Sequence, residues 1–94
     1  MQYVFGRGMI EIPNATGNQM NAIAKLMRGI SRLYNIDDGC DTIHFEMEGD
    51  GDIDYKPLDG LRDEVLEMDV GFEITVEEFT SHSDPGYYYN SKEE

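Results

Sequence analysis

The sequence predicts an α+β fold in which one antiparallel sheet carries two helices on a single face. Apolar and polar residues alternate over 42–48 and again over 72–77, the period of a strand with one buried face. Met20, Ile23, Ala24, Met27, Ile30 and Tyr34 recur instead at the three- and four-residue spacing of an amphipathic helix, and Leu58, Leu61, Val65 and Met68 form a second such stripe. Read along the chain, these signals fall in the order β-α-β-β-α-β.

The first strand is expected over Tyr3–Ile12. Val4, Gly6, Gly8, Ile10 and Ile12 share one face, and Tyr3, Phe5, Arg7, Met9 and Glu11 take the other. Two glycines inside a strand mark a bulge or a close approach, and a helix packed directly above them is the expected reason. Pro13–Gly17 leads into the first helix, with Asn14 or Thr16 as N-cap, because either side chain accepts from the free amides of a first turn. The apolar stripe extends that helix over Gly17–Asn35, about five turns at roughly 3.6 residues each. Lys25, Arg28 and Arg32 fall on its outer side.

Asp37-Asp38-Gly39 supplies a turn into the clearest strand, Thr42–Glu48. Ile43, Phe45 and Met47 point one way there, and Thr42, His44, Glu46 and Glu48 the other. Gly49-Asp50-Gly51 is a hairpin signal, so Asp52–Tyr55 is expected to return as a short third strand. Pro57 suits the first turn of a helix, and the second helix is expected from there to about Met68. Phe72, Ile74 and Val76 then alternate with Glu73, Thr75 and Glu77 in the last strand. This order is the ferredoxin-like βαββαβ arrangement, a four-stranded antiparallel sheet with both helices on one face.

Residues 1–80 are read as a single α+β domain and 81–94 as a C-terminal tail. In that tail a turn at Asp84-Pro85-Gly86 is expected to fold Tyr87, Tyr88 and Tyr89 back across the open face, covering Tyr3, Phe5 and Met9. The expected core is Val4, Ile23, Met27, Ile30, Tyr34, Ile43, Phe45, Leu61, Val65, Ile74 and Val76.

Charge is the feature that bears on function. The chain has a formal net charge of −13, and nineteen of its twenty acids lie beyond residue 36. Such a balance repels nucleic acid and anionic membrane and attracts basic proteins or divalent cations. Cys40 is the sole cysteine, so no internal disulfide forms, which suits a reducing cytoplasm. The N-terminus is interrupted by Gly6, Arg7, Gly8, Glu11 and Pro13, so no secretory leader is expected, and no apolar run reaches the ~20 residues of a membrane span.

No nucleophile elbow, phosphate loop or dinucleotide-binding glycine motif is present, and a non-catalytic protein without a cofactor is expected. The acids at 46, 48, 50, 52 and 54 have the two-residue spacing of oxygen ligands, but an EF-hand starting at Asp50 requires glycine and glutamate where Tyr55 and Leu61 stand. Cys40 and His44 are two ligands where structural zinc needs four, and nothing brings His82 to them. No metal site is expected.

Outward glutamates on a strand stand about 6.8 Å apart, a regular row of negative charge. The expected binding residues are therefore Glu46, Glu48, Asp50, Asp52, Asp54, Glu73, Glu77 and Glu78. They suit a nucleic-acid-mimicking inhibitor, of the kind found in phage and mobile-element anti-defence, occupying the basic surface of a nucleic-acid-binding protein. Nucleic acid itself is not an expected partner, and the chain is expected to be a monomer or a homodimer. The alternative is a small regulatory domain that binds a ligand or divalent cation and oligomerises through its sheet.

Overall fold

Nine residues of unbroken alternation make Tyr3–Glu11 the first strand, β1, and it runs through the middle of the sheet. The computed structural model describes residues 3–79 and 85–91. The other elements are α1 (Gly17–Arg28), β2 (Tyr34–Asp38), β3 (Thr42–Asp50), α2 (Lys56–Leu66), β4 (Glu73–Phe79) and β5 (Pro85–Asn90). They form a five-stranded antiparallel sheet in the order β2-β3-β1-β4-β5, with the two helices closing a single core on one of its faces.

The faces of β1 are as the alternation predicts, because its register against β3 and β4 runs residue for residue with no bulge at either glycine. What lies over the glycines is not a helix. A Cβ at Gly8 would stand 2.4 Å from Cζ of Phe45, and one at Gly6 would stand 2.8 Å from Cδ1 of Ile53. The missing side chains give the Phe45 ring and Ile53 their places above the central strand. All the expected core residues are buried except Ile30 and Tyr34, which are half-buried.

Those two mark the first correction. The first helix stops at Arg28, with Gly29 as its C-cap, and does not continue to Asn35. Glycine adds about 1 kcal/mol to the cost of helix at that point. Two tight turns follow, closed by Ile30 N–H to Met27 O (3.0 Å) and Leu33 N–H to Ile30 O (3.1 Å), and they carry the chain back to the sheet. Asn35 takes a positive φ of 50°, a region asparagine tolerates, and the register of β2 on β3 shifts there. At the start of α1 it is Thr16 that caps. Its hydroxyl accepts from Gln19 N–H (3.2 Å) and the Gln19 side chain accepts from Thr16 N–H (2.9 Å), a complete capping box.

The expected third strand, Asp52–Tyr55, is instead an irregular connection between β3 and α2. Gly49 lets the backbone fold back sharply, since a Cβ there would meet the Asp52 carbonyl oxygen at 2.0 Å. The Asp52 carboxylate accepts from Ile53 N–H (2.9 Å) and that of Asp54 from Lys56 N–H (3.1 Å). Side chains thus take amides that a strand would have offered to a neighbour. Ile53 drops into the core.

The tyrosines give the last correction. Residues 85–90 do not fold back over the open face; they pair with β4 as an edge strand of the same sheet. Tyr87 and Tyr89 turn to the helix side, against Tyr55 (ring centroids 5.6 Å apart) and Phe72 (5.5 Å), and only Tyr88 joins the open face. The sequence readings at His82, at Asp84 and over 92–94 lie outside the described residues.

Candidate functional site

The register of β1 decides what the uncovered face presents. Tyr3, Phe5, Arg7, Met9 and Glu11 lie opposite Asp50, Glu48, Glu46, His44 and Thr42 of β3. On the other side Phe5, Arg7, Met9 and Glu11 lie opposite Phe79, Glu77, Thr75 and Glu73 of β4. A mixed aromatic and cationic strip thus runs down the centre, with carboxylates on both sides.

At its middle the Arg7 guanidinium sits 5.9 Å from the centroid of the Phe5 ring and 5.6 Å from that of Phe79, with Glu46 at 3.7 Å. The two rings are 5.9 Å apart. Ring faces as well as charge attract the guanidinium, whose side chain is still 63% exposed. Beside it a shallow hollow of about 210 Å³ opens over Thr75, walled by Arg7, Met9, His44, Glu77 and Phe79. Threonine is the short outward residue of β4, between glutamates at 73 and 77, and the dip follows from that.

Several of the carboxylates are positioned by neighbours. Glu48 accepts from the hydroxyls of Tyr3 and Tyr34, Glu46 from the Asn35 amide, and Glu73 from the Asn90 amide (3.0 Å) and the Tyr88 hydroxyl (3.3 Å). Among the described residues no cation lies within ion-pair reach of Glu77.

These contacts raise the tyrosine pKa values. The hydrogen bond to Glu48 raises Tyr3, and burial followed by the Glu48 charge raises Tyr34. On the helix side Tyr55 is raised by burial and by its bond to Glu78 (2.5 Å). Tyr87 is pushed up to about 12 by burial and by its bond to Asp59 (3.0 Å). A phenol whose pKa is higher folded than unfolded contributes stability that is whole below about pH 10 and is lost as pH rises through the folded value. The melting temperature is therefore expected to fall between about pH 10 and 12, and the Tyr55→Phe/Tyr87→Phe variant should show a shallower fall. A melting temperature flat across that window would mean the phenols are as free to ionise folded as unfolded.

Of the residues expected to bind a partner, Glu46, Glu48, Asp50, Glu73 and Glu77 come together on this face. Asp52 and Asp54 belong to the β3–α2 connection, and Glu78 faces the helix side opposite Gly6, beneath the Tyr55 hydroxyl. Glu78 shares the parity of Ile74 and Val76, a signal already present in the strand pattern. Glu11, Arg7 and Phe79 lie on the same face and were not among the expected binding residues. Of the basic residues read as one helix stripe, Arg28 pairs with Asp38 (3.1 Å), Lys25 lines a groove with Glu64 and Met68, and Arg32 lies beyond the helix end.

Among the described residues no group of three or more His, Cys, Asp or Glu side chains is disposed to hold a metal ion, and no helix is long and apolar enough to cross a membrane. Comparison with known protein families, with curated proteins and with solved structures gives no match to this chain.

Proposed function

We propose that this chain is a non-catalytic acidic module that binds a basic protein through the open face of its sheet, acting as a nucleic-acid mimic of the phage or mobile-element anti-defence type. The observation that carries this reading is the charge of the face. Glu11, Glu46, Glu48, Asp50, Glu73 and Glu77 surround a single guanidinium, Arg7, which already has Glu46 beside it. Cations on a partner meet little competition there, and the same field repels phosphate.

The test is capture from a host lysate on the immobilised protein at low and at high salt, followed by release of duplex DNA from whatever is captured. Basic nucleic-acid-binding proteins should be held at low salt and lost at high salt, because exposed charges are screened beyond about 8 Å at physiological ionic strength. Glu46→Gln/Glu48→Gln/Glu73→Gln/Glu77→Gln should abolish capture. Glutamine keeps the acceptors that hold the Tyr3, Tyr34, Tyr88 and Asn90 side chains, so the fold is retained. Lys25→Glu/Arg32→Glu should bind as the parent does. If the glutamine variant captures the same proteins, the acidic face is not the binding surface.

We also infer that the first four strands are a ferredoxin-like unit to which β5 has been added. Their order β2-β3-β1-β4, with α1 between β1 and β2 and α2 between β3 and β4, supports it. A cytoplasmic setting is proposed on the exposed free thiol of Cys40.

A further inference from the structure

We propose that the hollow over Thr75 receives one apolar side chain from an extended basic segment of the partner, with a lysine or arginine two residues before and two residues after it. This rests on the reading of the open face as a protein-binding surface.

The face is more than a sheet of charge. Phe79 is 52% exposed and Tyr3 57%, and with half-buried Phe5 and Met9 they form an apolar strip in water that Arg7 alone interrupts. Exposed strips of this kind are places where something docks. Aromatic and arginine side chains at the centre with charge at the rim is also the usual anatomy of a protein interface. A pure phosphate mimic needs no such centre.

The charges around the strip select its occupant. A second copy of this chain, at a net charge of −13, would bring acids against acids, and nucleic acid would bring phosphate against them. A basic segment is attracted. Its spacing follows from the strand beneath. Glu73, Thr75 and Glu77 project from the same side of β4 at intervals of about 6.8 Å, and the downward side chains of an extended peptide repeat at the same interval. An apolar residue in the hollow meets the Phe79 ring and the Met9 thioether, while the cations at either side reach Glu73 and Glu77. Glu77 has no cation of its own among the described residues. Arg7 is occupied by Glu46 and two rings, so it lines the hollow without entering it.

The probes are two short acetylated peptides of identical composition. One has the central order Lys-Ser-Leu-Ser-Lys, and in the other the same residues run Lys-Leu-Ser-Ser-Lys, which keeps both lysines in place and turns the leucine away from the hollow. Titrated against the full chain by calorimetry at low salt, the alternating peptide should bind roughly tenfold more tightly, the scale expected when a leucine side chain leaves water. Thr75→Leu fills the hollow and leaves every charge in place, so it should erase the preference; Phe79→Ser removes one wall and should do the same. Circular dichroism of both variants checks that the sheet persists. If the two peptides bind alike and the four-glutamine variant binds neither, the acidic face is a protein-binding surface and the hollow is not its reader. If neither peptide binds the parent chain, the reading of the face fails and this inference fails with it.

Discussion

Phe45→Ala is expected to destabilise the chain by about 3–5 kcal/mol, the range for a large aromatic removed from a packed core. Phe45 has no exposed surface, and β3 holds it at the centre of the helix-side face. Its ring lies where the side chain of residue 8 would be, 2.4 Å from a Cβ built there, so nothing on β1 can move in to fill the space it leaves. The same geometry makes Gly8→Ala harmful, by about 1–3 kcal/mol for overpacking. The two effects should not add: Gly8→Ala in a Phe45→Leu background should cost much less than in the parent, because the clashing ring is gone. Urea unfolding of the parent and the four variants measures all of this. A loss below about 1 kcal/mol for Phe45→Ala, far outside the usual range for a core aromatic, would mean that the ring is not packed on β1 in solution.

Ending the chain at Ser83 should have a comparable or larger effect, because it removes β5. The strand contributes its ladder with β4 and the burial of Tyr87 and Tyr89 against Tyr55 and Phe72. Arg62 also stacks over the Tyr89 ring at 5.4 Å, and Ser91 exchanges hydrogen bonds with Phe72, its N–H to the carbonyl (3.0 Å) and its hydroxyl from the amide (2.9 Å). At roughly 1 kcal/mol for each hydrogen bond and about 1–2 kcal/mol for each half-buried ring, the loss is a large fraction of the whole stability of a small domain. The shortened chain should bind a hydrophobic dye strongly and melt without cooperativity. An unchanged melting temperature and an unchanged monomer mass would show that the strand is not docked.

The parts of this fold that could be read from the sequence are those where one periodicity acts alone. β1, β3 and β4 alternate cleanly, and Thr16 with Gln19 spells the capping box. The stripe predicts too long a helix because Ile30 and Tyr34 continue its spacing, while Gly29 and the turns after it break the backbone. β2 and β5 are edge strands, with one neighbour each and weak alternation, and Tyr87-Tyr88-Tyr89 shows no pattern of faces at all. Glu46, Glu48, Glu73 and Glu77 were legible as outward residues by parity. The Phe5–Arg7–Phe79 cluster was not, since it exists only through the pairing of the first strand with a distant one.

That pairing also bears on how the chain reaches its native state. The strand made first is the central one, yet Tyr3 waits for Asp50 on one side and Phe5 waits for Phe79 on the other. Sheets assembled from such remote partners close large loops before any contact rewards them, and they fold slowly. During synthesis β1 emerges with Val4 and Ile10 uncovered and neither neighbour yet made. The β2–β3 hairpin, where Asp38 meets Ile43, is a pairing the nascent chain can form from nearby residues. The topology lets this local hairpin pair before the central strand has both of its neighbours. A growing chain with its middle strand still unpaired is open to aggregation, and the nineteen acids beyond residue 36 add repulsion between copies only as they are made.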